Sequence, residues 1–331
     1  MVVNFVYPRI MNKISSIAHR INLPWVESPF FDTLIAEKNL SAQQKDIATH
    51  FNHEGFIVLP QLVSHELIDR ALLEIQSEYP ARVGQEPVRH QDLWKKYSSV
   101  REIASLPQVM DVLKLLYDRE PIPFQTLNFK FGTQQRAHSD SIHFSSIPAR
   151  YMCGVWVALE ETTADNGPLF YYPRSHRQEE FNYFDIGIKA EKNYAEYSKY
   201  EEFMEEFMEA KGYQRQEIHL QKGDALIWSS NLVHGGMPIK GENLTRWSQV
   251  NHYYFEGCTY YSPRTSDMFS NDLNLRHVTN ITTGDTVQHS DNGKPIKMIK
   301  TVNSRYAISH NFTLPILAKG LLKKIFGLKP F

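Results

Sequence analysis

The sequence predicts an α+β protein, mainly β with flanking helices, and three observations carry that reading. Between about Pro123 and Gly257 apolar runs are bounded by turn residues, and "YMCGVWVAL" and "DALIWS" are apolar enough to be central strands. The preceding stretch "SHELIDRALLEIQSEY" has helical periodicity instead, with Leu67, Ala71, Leu72 and Ile75 on one face. Third, "RAHSDSIHF" places His138 and Asp140 two residues apart, which puts both on one face of a strand.

Taken in order, residues 1 to about 40 read as an N-terminal arm, with Pro8, Pro24 and Pro29 limiting helix length and Arg9, Lys13 and Arg20 preceding any acid. Ser41 and Gln44 offer a capping box for a helix through about Asn52. "FIVLP" is a short strand, the helix of "SHELIDRALLEIQSEY" follows, and a polar helical segment carrying "PQVMDVLKLLYD" runs to about Asp118. A catalytic domain over residues 41–257 then contains an insertion at about 177–216. Its "EKNYAEYSKYEEFMEEFMEAKGY" is helical, with a stripe of Tyr197, Tyr200, Met204, Phe207 and Met208. That stripe reads as core packing, with a lid over a substrate mouth as the alternative, and its glutamates as a solvated face. Residues 258–331 form a C-terminal extension packed on the same domain. In it "VTNITTGDTV" and "PIKMIKTV", separated by a turn containing "DNG", read as a hairpin. The basic amphipathic end "ILAKGLLKKIFGLKPF" reads as docking on the protein or a partner, with an anionic membrane surface as the alternative.

Composition narrows the function classes. Thirty-six basic and 37 acidic residues leave net charge near zero, which gives no global pull toward nucleic acid. Two cysteines, Cys153 and Cys258, exclude a disulfide framework and a thiolate metal cluster. The start lacks the continuous apolar core of a signal peptide, and no stretch is long enough to span a bilayer. A reducing cytoplasm is the expected location.

Of the 14 histidines, His138 stands out by its pairing with Asp140, and His234 in "SSNLVHGGM" supplies a second imidazole almost a hundred residues on. Two imidazoles and one carboxylate on one side of Fe(II) leave positions open for O2 and a cosubstrate. His143 has the opposite strand parity and points away if the strand continues that far. Beyond His234, "TRWSQVNHYYF" places Arg246 and Ser248 on one strand face, a guanidinium and a hydroxyl able to clamp a carboxylate. His252 keeps their parity and lines the inner cavity without being a ligand. Trp156 and Trp228 read as core residues near the site, and Tyr151 as core or substrate lining.

With "HEGFIVLPQLVSHELID", "LNFKFGTQQRAHSD", "MCGVWVALEETTADNGPLFYYPRSH", "GDALIWSSNLVHGG" and "TRWS", the stretch from about residue 45 to 256 resembles the phytanoyl-CoA dioxygenase (PhyH) family of Fe(II)/2-oxoglutarate oxygenases. Arg174 departs from the family pattern, which commonly has glycine in that loop, and His176 ends the loop as a support of the barrel mouth. The resemblance implies a double-stranded β-helix (jelly roll, cupin-like). It implies metal ligation by His138, Asp140 and His234, and chelation of iron by 2-oxoglutarate with its far carboxylate on Arg246 and Ser248. Gln125 or Asn128, on the strand before the HxD motif, is the candidate for a further cosubstrate contact. O2 is the oxidant and ascorbate a supportive reductant. Asp140 favours hydroxylation, since related halogenases have a small residue there. The implied activity is hydroxylation of an unactivated C–H bond, with release of succinate and CO2. The substrate is a small molecule, with a lipid-like or carrier-bound one weakly favoured by the insertion. The competing readings are an iron cupin without 2-oxoglutarate, a non-catalytic barrel scaffold, and a peripheral membrane protein acting through the basic tail.

Overall fold

Two antiparallel sheets face each other across an apolar interior, the arrangement of a double-stranded β-helix, with helices packed outside. The computed structural model describes residues 13–79, 89–190, 194–241, 244–267, 273–300 and 306–308. The strands are β1 (Phe56–Leu59), β2 (Arg89–Gln91), β3 (Pro121–Phe129), β4 (Ser145–Ile147), β5 (Met152–Ala158), β6 (Leu169–Tyr171), β7 (Gln216–Ile218), β8 (Ala225–Ser229), β9 (His234–Gly236), β10 (Ser248–Phe255) and β11 (Thr259–Tyr261). The larger sheet runs β1-β8-β5-β10-β3-β2 and the smaller β7-β6-β9. As the sequence predicts, the runs around Trp156 and Leu226 occupy the middle of the larger sheet, and every residue of β5 and β8 is buried.

Alternation along the strands divides the chemistry between two sides. Trp156 and Ala158 of β5, Leu226 and Trp228 of β8 and Val250 of β10 face inward, against Leu169, Tyr171 and Ile218 of the smaller sheet. Their neighbours Cys153, Val155, Val157, Ile227 and Tyr253 face outward into a core shared with the helices.

Those helices are α1 (Phe31–Glu37), α2 (Ala42–Glu54), α3 (His65–Ile75), α4 (Ser98–Ala104), α5 (Pro107–Tyr117) and α6 (Tyr197–Ala210). Helix α2 starts with the expected capping box. The Ser41 hydroxyl accepts from the Gln44 amide at 3.2 Å, and the Gln44 side chain accepts from the Ser41 amide at 3.0 Å. It ends at Gly55, whose φ of 82° and contact with the His176 ring both require glycine, because a Cβ there would lie 2.4 Å from the imidazole. The N-terminal segment differs from the expected arm. Trp25, Val26, Phe31 and Leu34 are buried in the outer core, and the Trp25 indole donates to the Leu115 carbonyl at 2.9 Å.

Helix α6 buries Tyr197, Tyr200, Met204 and Met208 against Ala137, Ile142, Phe170 and Val233 behind the smaller sheet. The stripe in the insertion is therefore core. In the C-terminal region β11 pairs with β4, and Cys258, Tyr260 and Val278 join the outer core. The "DNG" turn closes only Ser290–Asp291 on Lys294–Pro295. "VTNITTGDTV" folds back on itself through a Thr279–Thr286 bridge, while Met298–Lys300 pairs with Tyr306–Ile308, so among the described residues the two expected hairpin arms do not pair. The basic tail, and the membrane contact considered for it, lie outside the described residues. No helix among the described residues is long and apolar enough to cross a membrane.

Candidate metal centre

His138, Asp140 and His234 each offer one ligand atom, and the three atoms lie within 4.8 Å of one another. The arrangement arises at the edge of the smaller sheet. His138 pairs with His234 of β9 through an isolated antiparallel bridge, the two amides and carbonyls exchanging bonds of 3.0 and 2.9 Å. The strand expected to carry both His138 and Asp140 does not continue. The chain turns at Asp140 into a short 3-10 helix, Asp140–Ile142, which swings the carboxylate back toward the imidazoles. The parity argument for His143 falls with that strand: His143 is half-buried, lines the same cavity, and its Nε2 lies 3.0 Å from the Tyr197 hydroxyl of the insertion.

The donor set is oriented for a metal. His138 Nδ1 donates to the Arg136 carbonyl and His234 Nδ1 to the Leu232 carbonyl, both at 2.9 Å, which leaves each Nε2 lone pair facing the site. Asp140 Oδ2 accepts the Trp228 indole N–H at 2.8 Å, so Oδ1 is left for the ion. Trp228 reaches Asp140 because Gly154, opposite it on β5, has no side chain. A Cβ there would sit 2.4 Å from the indole ring. Trp228, read from sequence as core, is thus a positioning residue for the carboxylate. Trp228→Phe, which keeps the ring over Gly154 and removes the donor, is expected to weaken Fe(II) affinity about 10- to 100-fold in a metal titration. Unchanged affinity would show that the indole does not orient Asp140.

Burial pushes the Asp140 carboxyl upward, but His234, His252, His138 and the indole N–H favour the anion, and the net direction is down. Burial holds His138 at about 4, so it is a neutral ligand at neutral pH. His176, His252 and His289 are also held at about 4 by burial, and His143 well below its ordinary value. These imidazoles charge more readily in the unfolded chain, so their contribution is complete above pH 6.5 and is lost as pH falls toward about 4. Glu27 and Glu201, raised to about 7 by burial, act the other way, with a contribution present below 4.5 and lost as pH rises through 7. The histidines outnumber them. Denaturant unfolding of the metal-free protein is expected to show stability rising from pH 4 to 6.5, by on the order of a few kcal/mol. A flat profile would mean that the imidazoles are solvated in the folded state.

Gln125 faces the cavity and its side-chain oxygen lies 3.1 Å from His252 Nδ1. Asn128 does not. Three residues further along β3 it has the opposite parity, and its amide donates to Gln249 at 3.1 Å on the outer side. It departs from the expectation of a cosubstrate contact.

Arg246 is 1% exposed, two residues ahead of the first residue of β10. Its Nη1 donates to the Gly167 carbonyl at 2.8 Å, while Nε is buried with no hydrogen-bond partner among the described residues. Ser248 Oγ and the Trp156 indole nitrogen are in the same condition. Buried donors without acceptors are costly, and these three, one of them on the guanidinium itself, suit an anion. Burial lowers Arg246 to about 10, opposed by Glu160, so it remains charged at neutral pH. The NGPL motif fixes this end. Asn166 bonds the Glu161 and Thr245 carbonyls at 2.9 and 3.1 Å, and Gly167 at φ 78° aims its carbonyl at Arg246. The PRSH loop braces the other ligand strand. Arg174 takes the left-handed conformation that glycine would take, Ser175 Oγ accepts from the Val233 amide at 2.9 Å, and His176 Nε2 donates to the Asn52 carbonyl at 3.0 Å.

His138, Asp140, His234 and Arg246 line one cavity of about 290 Å3. Trp228, His143 and three further arginines, Arg89, Arg264 and Arg276, also line it and were not singled out from the sequence as site residues. Tyr151 is buried in the outer core instead.

Residues 98–246 match the model of the phytanoyl-CoA dioxygenase (PhyH) family. The chain is 23% identical over 213 residues to methylphosphonate hydroxylase of Gimesia maris, spanning 59% of this chain and 75% of that protein. Among solved structures it is similar to the α-ketoglutarate-dependent epimerase SnoN from nogalamycin biosynthesis, with TM-score 0.53 and 18% identity over 77% of this chain and 96% of that one. The carbocyclase SnoK from the same biosynthesis gives TM-score 0.52 and 14% identity over 78% and 94%. The structural likenesses show the shared fold.

Proposed function

We propose, for a chain whose residues 98–246 match the model of the phytanoyl-CoA dioxygenase (PhyH) family, that it is an Fe(II)/2-oxoglutarate-dependent oxygenase that hydroxylates a C–H bond of a small molecule. The observation that carries this reading is the conjunction, in one cavity, of the His138–Asp140–His234 donor set with a buried Arg246 lacking an acceptor for Nε. Fe(II) held there would supply O2 activation, with one oxygen atom passing to succinate and the other to the product as CO2 leaves. The chain's own groups do the rest. His138 and His234 present their Nε2 atoms, Asp140 supplies the balancing charge, and Trp228 holds that carboxylate in place. Arg246, with Ser248 and the Trp156 N–H beside it, takes the far carboxylate of 2-oxoglutarate. The apolar walls of Leu127, Phe129, Leu169 and Val250 exclude water around that pairing.

The size of the cavity supports a small substrate. About 290 Å3 is at the lower end for small-molecule sites, and 2-oxoglutarate takes part of it. The lipid-like alternative loses its motive, because the aromatic and Met stripe of the insertion is spent on the core behind the smaller sheet. A cytoplasmic location belongs to the same proposal. The test is anaerobic addition of Fe(II) and then 2-oxoglutarate to the purified protein. A visible charge-transfer band on the second addition supports the assignment. Iron binding without the band would favour the cupin that uses no 2-oxoglutarate, and no iron binding would favour the scaffold.

A further inference from the structure

Among the described residues, four guanidinium groups and one carboxylate, Asp140, line the cavity, and the cosubstrate engages one of the four, Arg246. Arg276 lies toward Phe144 and His252 and Arg264 toward Tyr194 and His143, Arg89 enters from the edge strand β2 opposite Phe129, and Arg246 is held at Gly167 and Trp156. The Arg276 guanidinium sits over the Phe144 ring at 4.6 Å, and that ring is 4.8 Å from His252. Arg264, 7% exposed, sits over the Tyr194 ring at 4.0 Å. After burial, the charges of Arg264 and Arg89 help depress His143, and those of Arg276 and Arg89 help depress His252. The guanidinium of Arg276 is held by aromatic faces, and its Nε is buried with no hydrogen-bond partner among the described residues.

We propose that Arg89, Arg264 and Arg276 form an oxyanion subsite that recognises a small substrate by a carboxylate or phosph(on)ate group and places its C–H bond against the metal centre. Guanidinium groups converging from three separate segments match the several oxygens of one such group. Their summed field also favours an anion in a cavity walled by protein. This rests on the oxygenase reading and deepens it by naming the substrate class. All three arginines lie outside residues 98–246, so the shared chemistry and the choice of substrate come from different parts of the chain.

The experiment uses the full chain under anaerobic conditions, loaded with Fe(II) and 2-oxoglutarate so that the Arg246 end is filled. Inorganic phosphate, methylphosphonate and propionate are titrated calorimetrically, with 1-propanol as the neutral control. At least one oxyanion is expected to bind and the alcohol not to. Preference for the first two over propionate identifies a phosph(on)ate substrate, and the reverse a carboxylate. Arg276→Gln is expected to weaken that binding at least tenfold while still giving the charge-transfer band with 2-oxoglutarate. Arg89→Gln, on an exposed strand, gives the second variant should Arg276→Gln fail to fold. Absence of oxyanion binding, or equal binding by the wild type and a folded variant, overturns the proposal. If no band forms, the oxygenase reading fails by itself, and phosphate binding to the Fe(II) protein with and without Arg276→Gln still decides the subsite.

Discussion

Asp140→Ala is expected to abolish tight Fe(II) binding and to lower 2-oxoglutarate-dependent succinate release by roughly 10³-fold, equivalent to about 4 kcal/mol of barrier. The carboxylate is the only negative charge in the donor set, so its loss leaves only the two imidazoles to hold a dication. The fold is expected to survive. The substitution strands the Trp228 donor at a cost of about 1–3 kcal/mol, but it also removes a buried carboxylate whose desolvation opposed folding. Circular dichroism and a melting curve for the metal-free variant separate the two effects. Full iron affinity in a folded Asp140→Ala protein would place the metal elsewhere and end the assignment.

The difference between what sequence and structure say about this centre is itself physical. Which side chains come together was legible because imidazole, carboxylate, guanidinium and hydroxyl at fixed spacings limit the chemistry. Ligand geometry was not, because Asp140 opens a 3-10 turn that strand periodicity does not anticipate, and that turn brought His143 into the cavity. Two signals were available and unused. Gln125 and Asn128 are three apart on one strand and so cannot both face inward, which the period of two already states. Gly154, alone between apolar neighbours in "MCGVW", marks a close approach, here by Trp228. The three arginines left no comparable trace. They come from β2, from the short 3-10 turn Pro263–Thr265 and from the loop beyond it, and only the closed fold brings them together.

Arg246 offers the sharpest separation of binding from stability. In the cosubstrate-free protein it is a buried cation with one backbone acceptor and a more distant Glu160, an arrangement that costs more desolvation than it recovers. Arg246→Met keeps the unbranched stem of the side chain as far as about Nε but removes the charge. The variant is expected to melt at or above the wild-type temperature without cosubstrate, since burying a thioether avoids the penalty of burying a guanidinium. Its affinity for 2-oxoglutarate is expected to fall by about 2–5 kcal/mol, roughly 30-fold to several thousandfold, because the cosubstrate carboxylate then meets an apolar wall. Iron affinity is expected to change little, as Arg246 does not touch the donor atoms. Calorimetry with Fe(II) and then 2-oxoglutarate, beside melting curves with and without cosubstrate, reads all three quantities. In the wild type 2-oxoglutarate is expected to raise the melting temperature by linkage, and in Arg246→Met that increment is expected to disappear. A variant that melts lower yet binds 2-oxoglutarate normally would make Arg246 a structural residue, and would return the cosubstrate question to the buried Ser248 and Trp156 donors.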